Sequence, residues 1–146
     1  MKQTFSKLLA FLMLCLTLSG FKPDKGLDTY EIFLNKKLIL KQAVNAPLSL
    51  KKLQLSHANS NDQLRIFYAH CMNGGNAGTG RSIAIEDATG NVLKKWAFKD
   101  IEKAMEIPVK ELLQVEKQHA DKILSLHYVS QELAERNMLL ASVQFE

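Results

Sequence analysis

Apolar and polar residues alternate along much of this chain, in short runs that end at turn-forming residues. In DTYEIFL, Tyr30, Ile32 and Leu34 fall on one parity, and in RSIAIED, Ile83 and Ile85 do the same. A period of two places alternate side chains on opposite faces of a β-strand, whereas a helix needs a period of about 3.6. The pattern therefore predicts a protein built mainly of strands.

We count seven to eight such runs, most of them joined by short turns. Short turns join antiparallel strands, since parallel neighbours need a longer crossover. The predicted fold class is all-β: one antiparallel β-sandwich domain of seven to eight strands over residues 28–146, with a small barrel as the alternative. We expect a first hairpin to turn at Asn35, which tolerates positive φ. QLRIFYAHC, apolar on both parities, is typical of a central strand.

One segment departs from the period of two and predicts a short α-helix over residues 108–119. Val109, Leu112 and Leu113 lie on one side of this helix. Pro108 suits the first helical position because it has no N–H to leave unpaired there. We expect the apolar side of the helix to pack onto a sheet.

The first twenty residues have the pattern of a secretory signal peptide. Lys2 and Lys7 form a basic start, and the apolar run Leu8–Leu18 follows. This run is shorter than the roughly 20 residues that a membrane-spanning helix needs. We therefore expect residues 1–20 to be cleaved and 21–27 to form a flexible N-terminal segment. The protein would be exported through a Sec-type pathway, to the periplasm or the cell exterior.

The charge of the chain gives no support for nucleic acid as a partner. The formal net charge is +4, and loss of Lys2 and Lys7 with the signal peptide lowers it to +2. The sequence has no basic cluster interleaved with aromatic residues. No segment after the signal peptide has the apolar length of a transmembrane helix. We therefore expect neither nucleic-acid binding nor a transmembrane segment in the mature chain.

The stretch GGNAGTGRS has nearly the spacing of a phosphate-binding loop. Counted from Gly75 it reads G-x-x-x-x-G-R-S, with Arg81 in place of the usual lysine. That chemistry needs a helix behind the loop, whereas IAIED predicts a strand. We interpret the stretch as an inter-strand loop and leave a simple anion site open, since arginine binds phosphate. The candidate ligand or partner loop comprises Asn73, Gly74, Gly75, Asn76, Gly78, Gly80 and Arg81.

His70, Cys71 and Met72 form a second candidate site, because imidazole, thiolate and thioether all suit copper. On a strand His70 and Met72 would share a face, whereas Cys71 would join them only at a bend. The alternative is a buried Cys71 beside a hydrogen-bonded His70. A nucleophilic Cys71 would need His119 or His127 as its base. Cys71 is the single cysteine after signal removal, so no internal disulfide is expected.

The sequence contains no recognisable catalytic constellation, and we predict no cofactor. Ser82, for example, follows glycine and arginine but lacks the strand-turn-helix setting of a nucleophile elbow. We expect a small exported, non-enzymatic binding or envelope-associated module that uses loop 73–81 to contact a protein or a cell-envelope component. The alternative is a copper, zinc or thiol-redox protein centred on His70, Cys71 and Met72. An active site of scattered residues stays open.

Overall fold

Strands dominate the structure, which confirms the all-β prediction. The computed structural model describes residues 27–44, 51–71 and 74–145. The predicted signal peptide 1–20 and most of the predicted segment 21–27 lie outside these ranges. Nine strands and one helix follow one another within the described residues: β1 (Thr29–Leu34), β2 (Lys37–Ala43), β3 (Lys52–Gln54), β4 (Gln63–Ala69), β5 (Ser82–Asp87), β6 (Val92–Ala97), β7 (Met105–Pro108), α1 (Val109–Gln118), β8 (Leu124–Val129) and β9 (Asn137–Gln144).

The strands form two open sheets. Sheet A has the order β2-β1-β4-β7, and sheet B has the order β3-β9-β8-β5-β6. Each sheet has two edge strands and therefore does not close into a barrel. The arrangement of the two sheets is sandwich-like, as predicted. Among the described strands, all pairs but one are antiparallel. The exception is β3, which pairs with β9 in parallel, from Lys52 opposite Ser142 to Gln54 opposite Gln144. Sheet B is therefore mixed, which corrects the wholly antiparallel prediction.

The strand count is one higher than predicted. The additional strand is β7, whose four residues pair with β4 from Ile66 opposite Met105 to Gln63 opposite Pro108. Met105 and Ile107 are its two inward side chains, and both are fully buried. Two apolar positions are too few to show a period, so this strand has no clear signal in the sequence.

The predicted turns and the central position of β4 are confirmed. Asn35 turns β1 into β2 with a φ of 55°. Gly90, with a φ of 82°, lies in the turn between β5 and β6. β4 lies between β1 and β7, and the residues of β1 and β4 that face each other include Glu31 with Phe67 and Thr29 with Ala69. This register matters because the outward side chains of β1 and β4 form the candidate site.

The two sheets bury their inner faces against each other. The ring of Tyr68 in β4 stacks on the ring of Tyr128 in β8, with centroids 4.1 Å apart. The Tyr30 hydroxyl in β1 donates to the Leu140 carbonyl oxygen in β9 at 2.6 Å. Around them the buried strand residues include Ile32, Leu64, Ile66, Ile83, Ile85 and Leu126. Burying each large apolar side chain contributes about 1.5–3 kcal/mol to folding.

Helix α1 continues directly from β7 and packs its apolar side onto the core. Pro108 is the residue before the helix, not its first helical residue as predicted. Leu112 is buried, and Glu111 accepts a hydrogen bond from Trp96 Nε1 of β6 at 2.8 Å. This hydrogen bond, with a second one from Lys94, lowers the pKa of Glu111. Within the described residues, no helix has the length and apolar character to cross a membrane.

Candidate functional site

The glycine-rich loop joins β4 to β5 and begins as a small hairpin. The His70 amide donates to the Asn76 carbonyl oxygen at 3.0 Å, and the Gly75 amide donates to the His70 carbonyl oxygen at 3.0 Å. Gly74 and Gly75 have φ values of 66° and 80°, which L-residues with side chains rarely adopt. The residues after Arg81 form β5, so no helix N-terminus faces this loop. The expected strand-to-strand connection is confirmed.

The second half of the loop is fixed by two carboxylates. Thr79 donates its amide to Glu132 at 2.8 Å and its hydroxyl to the same carboxylate at 2.7 Å. The Gly80 amide donates to Asp100 Oδ1 at 2.9 Å. Burial opposes ionisation of Glu132, but the hydrogen bonds from Thr79 prevail and lower its pKa to about 2. The loop is therefore held in place by carboxyl side chains from two other segments.

Arg81 is buried, which corrects its expected role as a contact of the loop. Its side chain is 1% exposed. Nη2 donates to the carbonyl oxygens of Lys99, at 2.6 Å, and Glu102. Nε and Nη1 have no hydrogen-bond partner among the described residues. Arg81 thus supports the 99–102 segment from behind and does not reach a partner at the surface.

Cys71 is exposed, whereas His70 is buried, so the expected buried thiol is wrong and the expected hydrogen-bonded histidine is confirmed. The strand alternation continues past β4 and turns these neighbours to opposite sides. His70 Nδ1 lies 3.1 Å from Asp28 Oδ2, and Nε2 lies 3.0 Å from the Tyr128 hydroxyl and 3.2 Å from Ser130 Oγ. We call these four side chains the histidine network.

Asp28 organises this network. Its carboxylate accepts hydrogen bonds from the Tyr68 hydroxyl at 3.0 Å and from the Cys71 amide at 2.9 Å, in addition to His70 Nδ1. On the other side of the imidazole ring, Ser130 Oγ and the Tyr128 hydroxyl both lie within hydrogen-bond distance of Nε2. The order Asp28–His70–Ser130 matches that of a catalytic triad, but Ser130 is buried, with 1% of its surface exposed.

The tyrosines of the core remain protonated donors. Burial raises the pKa of Tyr128 to about 12, and its hydroxyl donates to the Ala77 carbonyl oxygen at 2.8 Å. Burial, and next the charge of Asp28, raises the pKa of Tyr68 well above its usual value. The Tyr128 hydrogen bond links the histidine network to the loop above it. The network therefore acts as an anchor for the loop.

Gly78 lies where the loop crosses the histidine network. Its φ is 86°, and a Cβ atom built on it would lie 2.7 Å from His70 Nε2 and 2.8 Å from Glu132 Oε2. No side chain fits at that distance unless a neighbour moves. A glycine is thus required at this position by close approach as well as by backbone conformation.

The described residues offer few free ligands at the predicted metal site. Both ring nitrogens of His70 already have protein partners. In the described part of the chain, no group of three or more His, Cys, Asp or Glu side chains could hold a metal ion. Met72 of the metal set and Asn73 of the loop set lie outside the described residues.

Neither histidine that was considered as a base for Cys71 is bonded to it. His127 Nε2 lies 3.0 Å from Ser125 Oγ, and His127 Nδ1 lies 2.9 Å from Asn137 Oδ1, on the outer face of sheet B. His119 lines a cavity of about 470 Å³ beside the end of helix α1. Within the described residues, the imidazoles of His119 and His127 therefore have neighbours that do not include the Cys71 thiol.

Two adjacent cavities lie on the outer face of sheet A, and we call them together the sheet A groove. They have volumes of about 440 and 500 Å³ and share Phe67 and Lys103. The first cavity is lined by Thr29, Tyr30, Glu31, Phe67, Tyr68, Ala69, Gly75, Asn76, Ala77 and Lys103. The second is lined by Arg65, Phe67, Phe98, Glu102, Lys103, Ala104 and Glu106. The glycine loop thus forms one end of the groove.

Phe67 is the apolar centre of the groove. Its ring is half-buried and meets the Phe33 ring edge-on at a centroid distance of 5.6 Å. The Arg65 guanidinium lies 5.6 Å from the Phe67 ring centroid and is held by Glu106 at 2.9 Å. Sequence reasoning missed Phe67, although an apolar residue on the outward parity of QLRIFYAHC was its signal. Lys103 lies in no alternating run, so no sequence pattern indicated it as a groove residue.

The chain has no significant match among protein-family models, curated proteins or solved structures. Its function is therefore inferred from the geometry of the loop, the histidine network and the sheet A groove.

Proposed function

We propose that this protein is a non-enzymatic binding module that holds its ligand in the sheet A groove. The observation that carries the proposal is the shared lining of two cavities by Phe67, with Gly75, Asn76 and Ala77 of the predicted partner loop at one end. Binding sites are concave, mostly apolar and furnished with a few polar groups, within a range of about 300–1,000 Å³. The first cavity of the sheet A groove has this size and this combination of apolar and polar groups, and the second cavity adds charged side chains.

The way the loop is held favours binding. Glu132 and Asp100 fix its second half, and Tyr128 fixes Ala77 from below. A ligand therefore meets a wall that is already ordered, and binding does not have to offset the conformational entropy of the loop.

The proposed setting is outside the cytoplasm, and the proposed partner is a protein or a cell-envelope component. The support is the signal-peptide pattern of residues 1–20. Replacement of Leu12 by Arg in the apolar run is expected to keep the protein in the producing cell with its N-terminus intact. Mass spectrometry of the exported wild-type protein should show loss of about 20 residues. Export of intact wild-type chain would contradict this setting.

A peptide titration tests the groove. The probe is the acetylated, amidated tripeptide Ala-Ala-Phe, added to ¹⁵N-labelled protein while amide chemical shifts are recorded. We expect the perturbed amides to cluster at Thr29, Phe67, Ala69 and residues 75–77. Phe67→Ser should remove these perturbations because the aromatic contact surface is lost.

The matched control is Leu139→Ser, which removes a half-buried apolar side chain from strand β9 of sheet B. This variant should bind the tripeptide as the wild type does. A tripeptide that perturbs no groove amide at millimolar concentration, or that binds equally well to Phe67→Ser, would refute the proposed site.

A further inference from the structure

We propose that the groove, if it acts as the binding site proposed above, takes the C-terminal end of an extended peptide whose last residue is large and apolar. The terminal carboxylate would lie against Lys103 in the first cavity, and the apolar side chain would lie on Phe67. The inference rests on the charges of the groove and on the position of the loop at one end of it.

The charges single out Lys103 in the first cavity. Glu31, the carboxylate that lines this cavity, is paired with Lys41 at 2.6 Å. Lys103 is exposed and forms no ion pair in the described part of the chain. The first cavity therefore has one uncompensated charge, which is positive, beside an aromatic ring. This combination selects an anionic group attached to an apolar one.

The second cavity also contains Lys103, but its four charged side chains, Arg65, Glu102, Lys103 and Glu106, sum to zero. Arg65 and Glu106 neutralise each other at 2.9 Å. Glu102 accepts a hydrogen bond from the Lys99 amide at 2.9 Å, but this bond leaves its negative charge uncompensated. An anionic ligand group is therefore favoured in the first cavity, next to the loop, over the second, where Glu102 opposes it.

Buried Arg81 adds to the positive potential of the wall. Its Nη2 donates to the Glu102 carbonyl oxygen, directly behind the segment that carries Lys103. Arg81 is always charged and has no carboxylate partner among the described residues. A charge away from bulk water is weakly screened, so it strengthens the attraction of an anion at the groove.

The loop explains why a chain end fits better than the middle of a peptide. Gly75, Asn76 and Ala77 line the groove where β4 ends at Ala69, whereas the other end, at Arg65, continues onto the sheet. From Arg65 to Ala69 the strand advances about 13 Å, the length of about four extended residues. A peptide that lies along β4 thus meets the loop at one end of the groove, in the cavity where Lys103 can bind the terminal carboxylate of the peptide.

The test compares four acetylated tripeptides by ¹⁵N chemical-shift titration. They are Ala-Ala-Phe with a free carboxylate, the same peptide as its amide, Ala-Ala-Ala with a free carboxylate, and Asp-Ala-Phe as its amide. We expect the free Ala-Ala-Phe acid to bind about tenfold more tightly than its amide, because a charge-assisted hydrogen bond is gained. The other two peptides should bind no better than the amide.

Lys103→Met should abolish the preference for the acid and leave the Kd of the amide unchanged. Lys110→Met, which removes an exposed lysine from helix α1, is the matched control and should keep the preference. Rising salt concentration should weaken binding of the acid to the wild type more than binding of the amide.

Each other outcome has a distinct meaning. Equal affinity for acid and amide, or a preference that survives Lys103→Met, overturns the carboxylate assignment and leaves the groove as a binding site. Equal binding of the free acid and the Asp-Ala-Phe amide shows that any nearby anion suffices, which overturns the chain-end assignment. If no peptide perturbs the groove, the proposed function itself fails.

Discussion

The close approach of the glycine loop to His70 makes Gly78→Ala a sharp test of the histidine network. The added Cβ would lie 2.7 Å from His70 Nε2, 2.8 Å from Glu132 Oε2 and 2.9 Å from His70 Cδ2. His70 cannot easily move aside, because Asp28 and Tyr128 hold both of its ring nitrogens. We therefore expect the substitution to break at least one buried hydrogen bond.

The expected loss of stability has two parts. An alanine at a φ of 86° is strained by roughly 1–2 kcal/mol, because its Cβ crowds the backbone. A broken hydrogen bond that leaves a buried group unsatisfied costs about 1–3 kcal/mol more. Gly78→Ala should thus lower the free energy of unfolding by about 2–5 kcal/mol, which is a large share of the stability of a domain.

Gly75→Ala is the matched control. Gly75 has a φ of 80°, so alanine suffers similar backbone strain, but no atom lies within 4 Å of its Cβ position. The smaller conformational entropy of an unfolded chain with alanine affects both variants alike. Gly75→Ala should therefore cost only the backbone part, about 1–2 kcal/mol.

The assay is equilibrium unfolding in urea, followed by the fluorescence of Trp96, the single tryptophan. The midpoint of Gly78→Ala should lie below that of Gly75→Ala, with an unchanged slope. If the two variants lose the same free energy, the loop does not press on His70, and the histidine network is not its anchor.

Three further predictions concern the core, a turn and the thiol. Tyr30→Phe should lower the free energy of unfolding by about 1–2 kcal/mol in urea, because the buried Leu140 carbonyl loses its donor, and an unchanged midpoint would contradict this. Asp87→Asn should destabilise the protein at pH 7. Hydrogen bonds from Lys122 and the turn hold the Asp87 pKa well below its usual value. The difference between variant and wild type in free energy of unfolding should therefore shrink as pH falls below about 4. A difference that stays constant with pH would argue against this cause. Cys71 is exposed and should react with Ellman's reagent in the folded protein about as fast as in urea, whereas protection would show a covered thiol.

Local sequence patterns predicted most of the strands and turns, but they could not predict which distant strands pair with each other. Alternating residues predicted the other eight strands, and Asn35 the first turn. β7 was missed because Met105 and Ile107 are its two inward positions. The parallel contact of β3 with β9 joins segments far apart in sequence, where no turn or spacing indicates which edge a strand will take.

Several structural details of the proposed site had no local signal in the sequence. The loop after β4 does line a cavity, yet Arg81 points inward to the carbonyl oxygens of residues 99 and 102. That contact depends on two segments meeting in the folded chain. Phe67 did have a local signal, because QLRIFYAHC is apolar on both parities, but this pattern was interpreted only as that of a central strand. In a two-layer sandwich a central strand keeps one face towards solvent, so an outward aromatic ring indicates a surface site.

The glycine loop connects the stability of the core to the shape of the groove. Its outer side, at residues 75–77, forms the end wall, while its inner side rests on His70, Tyr128 and Glu132. A change beneath the loop should therefore alter affinity and stability together, as we expect of Gly78→Ala. Lys103→Met, at an exposed residue that lines the groove, should alter affinity alone. Parallel measurement of both variants separates the residues that support the wall from those that meet the ligand.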